Sequence, residues 1–162
     1  MTKIDSLLEE YGESHQNPVN KKVHWICVPA IVLSLIGLIW SIPVPEVFSK
    51  MQFGPLPLNW ATIFIFFALI YYVRLSIQLA IGMLLVICLL LAIGYLITVN
   101  IPLPLWASCL IIFSVAWIGQ FWGHKVEGKK PSFLKDVQFL LIGPVWLLSF
   151  IYKKLGIRYS NT

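Results

Sequence analysis

Residues 75–124 read LSIQLAIGMLLVICLLLAIGYLITVNIPLPLWASCLIIFSVAWIGQFWGH, a run of 50 residues without a formally charged side chain. One helix needs about 20 mostly apolar residues to cross the hydrocarbon core of a bilayer, so the run is long enough for two crossings. Two prolines within 100–104 interrupt it as a turn would. The run therefore predicts two transmembrane helices, 77–97 and 105–122.

Two further spans are predicted on the N-terminal side of this run. Uncharged stretches of 23 residues occupy 23–45 and 51–73. The dense apolar parts of these stretches predict transmembrane helices over 23–40 and 58–73.

The last apolar run, 137–152, is different because it has only 16 residues and contains Gly143-Pro144 near its middle. Proline removes a backbone donor and disfavours helix in the residue before it, so a straight crossing is not expected. This run predicts a re-entrant or interfacial helical hairpin, with a short fifth span as the alternative.

Composition supports a membrane protein of one domain. Of the 162 residues, 59% are hydrophobic and 12% are charged, whereas about a quarter are charged in a typical soluble domain. These figures exclude a soluble globule and a disordered chain. Three cysteines are too few for a disulfide scaffold. The sequence also has no stripe of lysines and arginines of the kind that binds nucleic acid, so a nucleic-acid partner is not predicted. The predicted fold is an all-α integral membrane protein, one domain over 1–162 with four transmembrane helices plus a C-terminal re-entrant or interfacial helical hairpin.

The distribution of lysine and arginine predicts the orientation. Eleven of the 12 cationic residues lie on the side of the termini and Lys50 alone on the other, so the positive-inside rule places both termini in the cytoplasm. Residues 1–20 are too acidic for a cleavable signal peptide. They predict a cytoplasmic helix with apolar residues at helical spacing, namely Ile4, Leu7, Leu8 and Tyr11. The charge rule does not distinguish a bacterial inner membrane from the endoplasmic reticulum, and the oligomeric state stays open.

The only three histidines of the chain, His15, His24 and His124, come to one depth in this topology. His15 precedes the first span, His24 lies in its first turn, and His124 follows the last turn of the fourth span. Neutral imidazole is a common ligand of zinc and iron, so the three predict a metal site at the cytoplasmic interface. The alternative is three interfacial histidines without a metal.

Three polar residues accompany the histidines. Glu127 lies three positions after His124 and faces the same way on a continuing helix, where it is a metal ligand, a hydrogen-bond partner of an imidazole or a solvated partner of nearby lysines. Asn20 and Gln120 are candidates for orienting a ligand or substrate, because polar side chains beside a membrane site need a partner. The chain has no GxSxG, HExxH, GxGxxG or P-loop motif.

Two blocks of sequence carry a resemblance to a known family: Tyr11-x3-His15-x4-Asn20-x3-His24-x4-Pro29 before a transmembrane helix, and Gln120-x2-Gly123-His124-x2-Glu127-x3-Pro131 leading to Gly143-Pro144. Over about 4–152 the chain resembles the small membrane-protein family of 2-hydroxy fatty acid dioxygenases. The interior of the second and third spans matches this family in hydrophobicity alone.

The resemblance implies an Fe(II)-dependent enzyme of fatty acid alpha-oxidation, which uses O2 to shorten a 2-hydroxy long-chain fatty acid by one carbon. It also implies that the family's histidines correspond to His15, His24 and His124. Two alternatives stay open at this point. One is a zinc-dependent membrane lipid hydrolase that uses the same histidines, and the other is a non-enzymatic lipid-binding scaffold.

Overall fold

The computed structural model describes residues 2–49, 52–53, 56–132 and 137–160. These residues form seven helices and one short antiparallel hairpin, in the order α1 Lys3–Glu13, α2 Pro18–Trp40, α3 Glu46–Ser49, β1 Gln52–Phe53, β2 Leu56–Pro57, α4 Trp60–Leu75, α5 Ile77–Asn100, α6 Leu105–Glu127 and α7 Phe139–Leu155. In the hairpin, Gln52 pairs with Pro57 and Phe53 with Leu56. Lys50 and Lys135, which contribute to the predicted charge distribution, lie outside the described residues.

Three helices, α2, α5 and α6, are long and apolar enough to cross a membrane, which indicates a membrane protein. At 1.5 Å per residue their 23 or 24 residues extend about 35 Å, against about 30 Å for the hydrocarbon core. The apolar helix α4 has 16 residues and extends only about 24 Å. The all-helical membrane architecture is therefore as predicted, whereas the crossing over 58–73 stays a prediction.

The C-terminal apolar run forms one continuous helix, α7, with Pro144 inside it. The re-entrant or interfacial helical hairpin predicted over 137–152 is therefore wrong, whereas the alternative of a short fifth span stays a prediction. Pro144 falls in the second turn of α7, so the missing backbone donor affects only a carbonyl near the helix start. The hydroxyl of Tyr72 donates to the adjacent main-chain carbonyl, that of Leu141, at 2.9 Å. This bond joins α4 to the turn of α7 that contains Pro144.

The helix α7 occupies the centre of the core. Nine of its 17 residues are buried, and it packs against α1, α2 and α5. The four apolar residues of α1 at helical spacing all lie in the same hydrophobic cluster. The hydroxyl of Tyr152 donates to the carbonyl of Gln78 on α5 at 2.7 Å. The short N-terminal helix is thus part of the folded body of the protein.

The helices α2 and α6 form the most extensive packed pair. Their close approach depends on glycines of α6 facing larger residues of α2. A Cβ atom at Gly119 would lie 2.7 Å from the sulfur of Cys27, and one at Gly123 would lie 2.5 Å from Oδ1 of Asn20. Small residues let helices pack closely in membranes. This packing brings the start of α2 against the end of α6, where two of the three histidines lie.

Candidate metal centre

The four residues between α1 and α2 position His15. α1 ends at Glu13, whose carbonyl accepts a hydrogen bond from Nζ of Lys129 at 2.7 Å. α2 begins at Pro18, where the side chain of Asn17 caps the helix by accepting a hydrogen bond from the main-chain N–H of Val19 at 2.8 Å. Both helix ends are therefore fixed, and the loop between them holds His15 completely buried.

The other two histidines come from the packed pair. His24 lies in the second turn of α2 and His124 in the last turn of α6, and both are buried. The ring centroids of His15 and His24 are 4.3 Å apart, those of His15 and His124 4.9 Å, and those of His24 and His124 5.1 Å. One nitrogen from each ring lies within 4.8 Å of the other two. The structure thus brings the three predicted histidines together.

Hydrogen bonds determine which ring nitrogens face the centre of the cluster. Nδ1 of His15 donates to the main-chain carbonyl of Tyr11, and Nδ1 of His24 donates to that of Asn20 at 2.9 Å. In a neutral imidazole the other nitrogen, Nε2, then carries a lone pair. The two Nε2 atoms lie 2.9 Å apart, although neither has a proton to share in this arrangement. Two lone pairs that face each other at this distance repel, and a bound cation that both nitrogens contact would relieve the repulsion.

His124 supplies the third nitrogen of the cluster. Its Nδ1 is buried and has no hydrogen-bond partner in the described structure, although buried polar atoms are nearly always satisfied. A metal ion is a natural partner for such an atom, because imidazole nitrogen binds zinc and iron readily. The donor set of three neutral imidazoles therefore fits a divalent transition metal.

The protonation state of His15 agrees with this conclusion. Burial, followed by the influence of the neighbouring His24, lowers the pKa of His15 from 6.5 to about 3. The imidazole is then neutral at physiological pH, the form in which it binds metal.

Aromatic rings form a wall on one side of the cluster. Tyr11 stacks on His15 with ring centroids 4.2 Å apart, and Trp146 lies 5.2 Å from His15. A Cβ atom at Gly143 would lie 2.9 Å from the Tyr11 hydroxyl, so the glycine leaves room for the phenol. Sequence reasoning missed Trp146. The i, i+4 spacing of Tyr11 and His15 was a usable signal for the first contact, whereas no sequence signal links Trp146 to the site.

Glu127 lies beside the histidine cluster and is not one of the grouped ligands. Its Oε1 accepts from the main-chain N–H of Gln16 at 2.9 Å, and its Oε2 accepts from the N–H of Asn17 at 2.9 Å and from Nδ2 of Asn20 at 3.1 Å. Both oxygens are thus bonded to the segment around His15. The carboxylate joins the end of α6 to the start of α2.

Asn20 connects the same elements from the side of α2. In addition to Glu127, its Nδ2 donates to the carbonyl of Ser14 at 3.3 Å, and its own carbonyl accepts from His24. Its Oδ1 faces the backbone of Gly123, where a side chain would collide with it. Asn20 therefore orients the loop and His24 together.

A cavity of about 40 Å³ opens beside the histidines, between α1, α2, α6 and α7. Its polar lining includes Gln120, His24 and His124, and Ser132 joins them from the segment that follows α6. Residues of α2 and α6 line the cavity next to them, namely Val28, Ile31, Val32 and Trp117. Residues of α1 and α7 complete the lining, namely Tyr11, Phe139, Leu140 and Gly143. The structure thus places the predicted residue Gln120 at this cavity, and it adds Ser132, which sequence reasoning missed.

The fold and the site together define a class: a small helical membrane protein with a buried three-histidine centre that can hold one metal ion. Within this class, residues 1–155 match the family described as 2-hydroxy-palmitic acid dioxygenase Mpo1-like, and the chain belongs to that family. The resemblance drawn from the two motif blocks is therefore confirmed. No curated protein and no solved structure matches the chain significantly.

Proposed function

We propose that this protein is an Fe(II)-dependent dioxygenase that shortens 2-hydroxy long-chain fatty acids by one carbon. The observation that carries the proposal is the arrangement of His15 and His24, whose Nδ1 atoms are bonded to carbonyls while their Nε2 atoms face each other at 2.9 Å. The family description supplies the substrate class and the type of reaction.

His15, His24 and His124 would hold the iron. When bound, ferrous iron supplies the redox chemistry through which molecular oxygen can react with a closed-shell hydroxy acid. The overall reaction balances as one 2-hydroxy acid and one O2 giving the shortened acid, CO2 and H2O. The C1–C2 bond breaks, C1 leaves as CO2, and the carbon that carried the hydroxyl group becomes the new carboxyl carbon.

The protein's own residues prepare the site for this chemistry. The main-chain carbonyls of Tyr11 and Asn20 fix the tautomers and ring orientations of His15 and His24, as partners of metal-binding imidazoles commonly do. Burial of the three rings keeps bulk water away from them. Glu127 holds the loop that carries His15 in place through the main chain of Gln16 and Asn17.

The shape of the cavity suits the polar end of an amphiphile. A volume of about 40 Å³ corresponds to roughly three water-sized positions, enough for a headgroup and too small for an acyl chain. The apolar wall continues along α2 and α6, both of which are long enough to span the membrane. We infer that the acyl chain lies along these helices while the carboxylate and the 2-hydroxyl group enter the cavity.

The same proposal includes the orientation in the membrane. The concentration of eleven cationic residues on one side of the predicted topology favours a cytoplasmic location for both termini and for the histidine cluster. The membrane is a bacterial inner membrane or the endoplasmic reticulum.

Oxygen consumption by the purified, iron-loaded protein tests this function. We expect O2 uptake with 2-hydroxyhexadecanoic acid, formation of pentadecanoic acid by mass spectrometry, and no uptake with hexadecanoic acid. Hydrolysis of a lipid without O2 uptake would favour the zinc hydrolase. Binding of the acid without any product would favour the lipid-binding scaffold.

A further inference from the structure

The cavity contains polar atoms that the metal centre does not use. Gln120 and Ser132 line it with His124, and they are only 5% and 4% exposed. Within the described residues, neither Oε1 of Gln120 nor Oγ of Ser132 has a hydrogen-bond partner. Since an unsatisfied buried polar atom destabilises the folded state, two such atoms at one cavity point to a ligand that satisfies both.

Other unpartnered atoms in the described structure do not share this position. Oγ of Ser108 is buried without a partner on the same helix as Gln120, but Ser108 lies 12 residues earlier, about 18 Å along α6, and does not line the cavity. Oδ1 of Asn20 faces Gly123 instead. Among the described residues that line the cavity, Gln120 and Ser132 are thus the two, apart from the proposed metal ligand His124, that have a fully buried side-chain atom without a hydrogen-bond partner.

The chemistry of the two atoms limits what can bind to them. An amide oxygen accepts hydrogen bonds and cannot donate, so the carboxylate of a fatty acid, which also only accepts, cannot satisfy Oε1 of Gln120. A hydroxyl group on the ligand can donate to Gln120 and accept from the hydroxyl of Ser132 at the same time.

We propose that Gln120 and Ser132 form a hydroxyl-recognition subsite that selects 2-hydroxy acids over 2-oxo and unsubstituted acids. The identity of the ligand rests on the proposed function. Gln120 accepts the proton of the 2-hydroxyl group, and Ser132 donates to its oxygen. A 2-oxo acid can bond only to Ser132, and an unsubstituted acid leaves both side chains unpaired. A site built to bond a hydroxyl group rejects analogues that lack it.

Binding measurements on the full-length, iron-loaded protein in nanodiscs, without oxygen, test the subsite. The dissociation constants of 2-hydroxyhexadecanoic, 2-oxohexadecanoic and hexadecanoic acid are compared in the wild type and in two variants. Gln120→Met should reduce the preference for the hydroxy acid over the oxo acid about tenfold. Ser132→Ala should reduce the preference for the oxo acid over the unsubstituted acid by a similar factor. The metal's own preference among the acids cancels, because each ratio is compared with that of the wild type.

Ser108→Ala is the matched control, since it removes a buried, unpartnered hydroxyl group from α6 far from the cavity, and it should leave both ratios unchanged. The proposal is overturned if each variant weakens all three acids by one common factor, because that result describes packing and not recognition. Ser132→Ala gives an independent test if Gln120→Met does not fold. Selective binding without O2 uptake would overturn the proposed function and leave the subsite standing.

Discussion

The two ends of the α2–α6 pair are built from different interactions. At the end that we call the histidine end, Asn20 and His24 of α2 meet Glu127 and His124 of α6, and hydrogen bonds run between separate elements. At the other end, the glycine end, Gly37 packs directly against Cys109. The hydroxyl group of Ser34 there donates to a carbonyl of its own helix, that of Ala30, at 2.7 Å.

This difference predicts different consequences for substitutions at the two ends of one helix pair. Contacts at the glycine end depend on volume, so a substitution there changes packing and should leave the metal centre intact. Contacts at the histidine end orient nitrogen and oxygen atoms, so a substitution there should weaken metal binding and should lower stability through the metal that is lost. Three substitutions test this division.

The largest effect is expected from His24→Ala. The substitution removes one of three proposed ligands, so bound iron should fall to less than about a tenth of the wild-type content and O2 uptake should fall at least about 100-fold. Elemental analysis and an oxygen electrode measure both quantities. Ser34→Ala, a buried substitution on the same helix towards the glycine end, is the control and should keep both. Wild-type iron content in His24→Ala would remove this histidine from the metal centre.

A smaller effect is expected from Glu127→Gln. The carboxylate accepts three hydrogen bonds, and an amide presents an NH2 group to at least one of these N–H donors. The loop that carries His15 should loosen, and the affinity for the metal should fall about tenfold. Competition with a chelator measures that affinity. Glu13→Gln makes the same charge change on an exposed neighbour and should have little effect, and equal losses in both variants would show that only charge matters.

The smallest effect on the metal centre is expected from Gly37→Ala at the glycine end. The new Cβ would overlap the sulfur of Cys109, and overpacking of this kind costs about 1–3 kcal/mol, which lowers Tm by roughly 2–10 °C. Iron content per folded chain should not change. Adding Cys109→Ala removes the overlapping atom and should restore Tm, so a double variant that is no more stable than Gly37→Ala would contradict the packing explanation.

The histidine cluster could be predicted because the predicted transmembrane spans set the depth of each histidine in the membrane. His15 and His124 are far apart in sequence, yet each lies at the end of a long apolar segment on the same predicted side, so their common depth follows from the spans alone. The three long helices were equally readable from uncharged runs. The long helices and the common depth of the histidines both follow from the average hydrophobicity of long segments, which can be read from a single sequence.

The partners of individual side chains could not be predicted in the same way. The spacing of Glu127 and His124 correctly suggested a shared region, but it could not show that both carboxylate oxygens bond to the loop near His15. Pro144 suggested a break in the last apolar run, whereas the helix continues through it, because a proline in the second turn removes only one hydrogen bond near the helix start. The first of these outcomes depends on tertiary contacts, which override local preferences.

The three histidines belong to a loop and two helices, and this origin couples the metal to the integrity of the protein. An ion held by His15, His24 and His124 would join positions up to 109 residues apart in the chain. A ligand that binds only the folded state stabilises it by about 1.4 kcal/mol for each tenfold excess over its dissociation constant. A cell that runs short of the metal should therefore lose the protein to proteolysis, and its abundance would follow the metal supply.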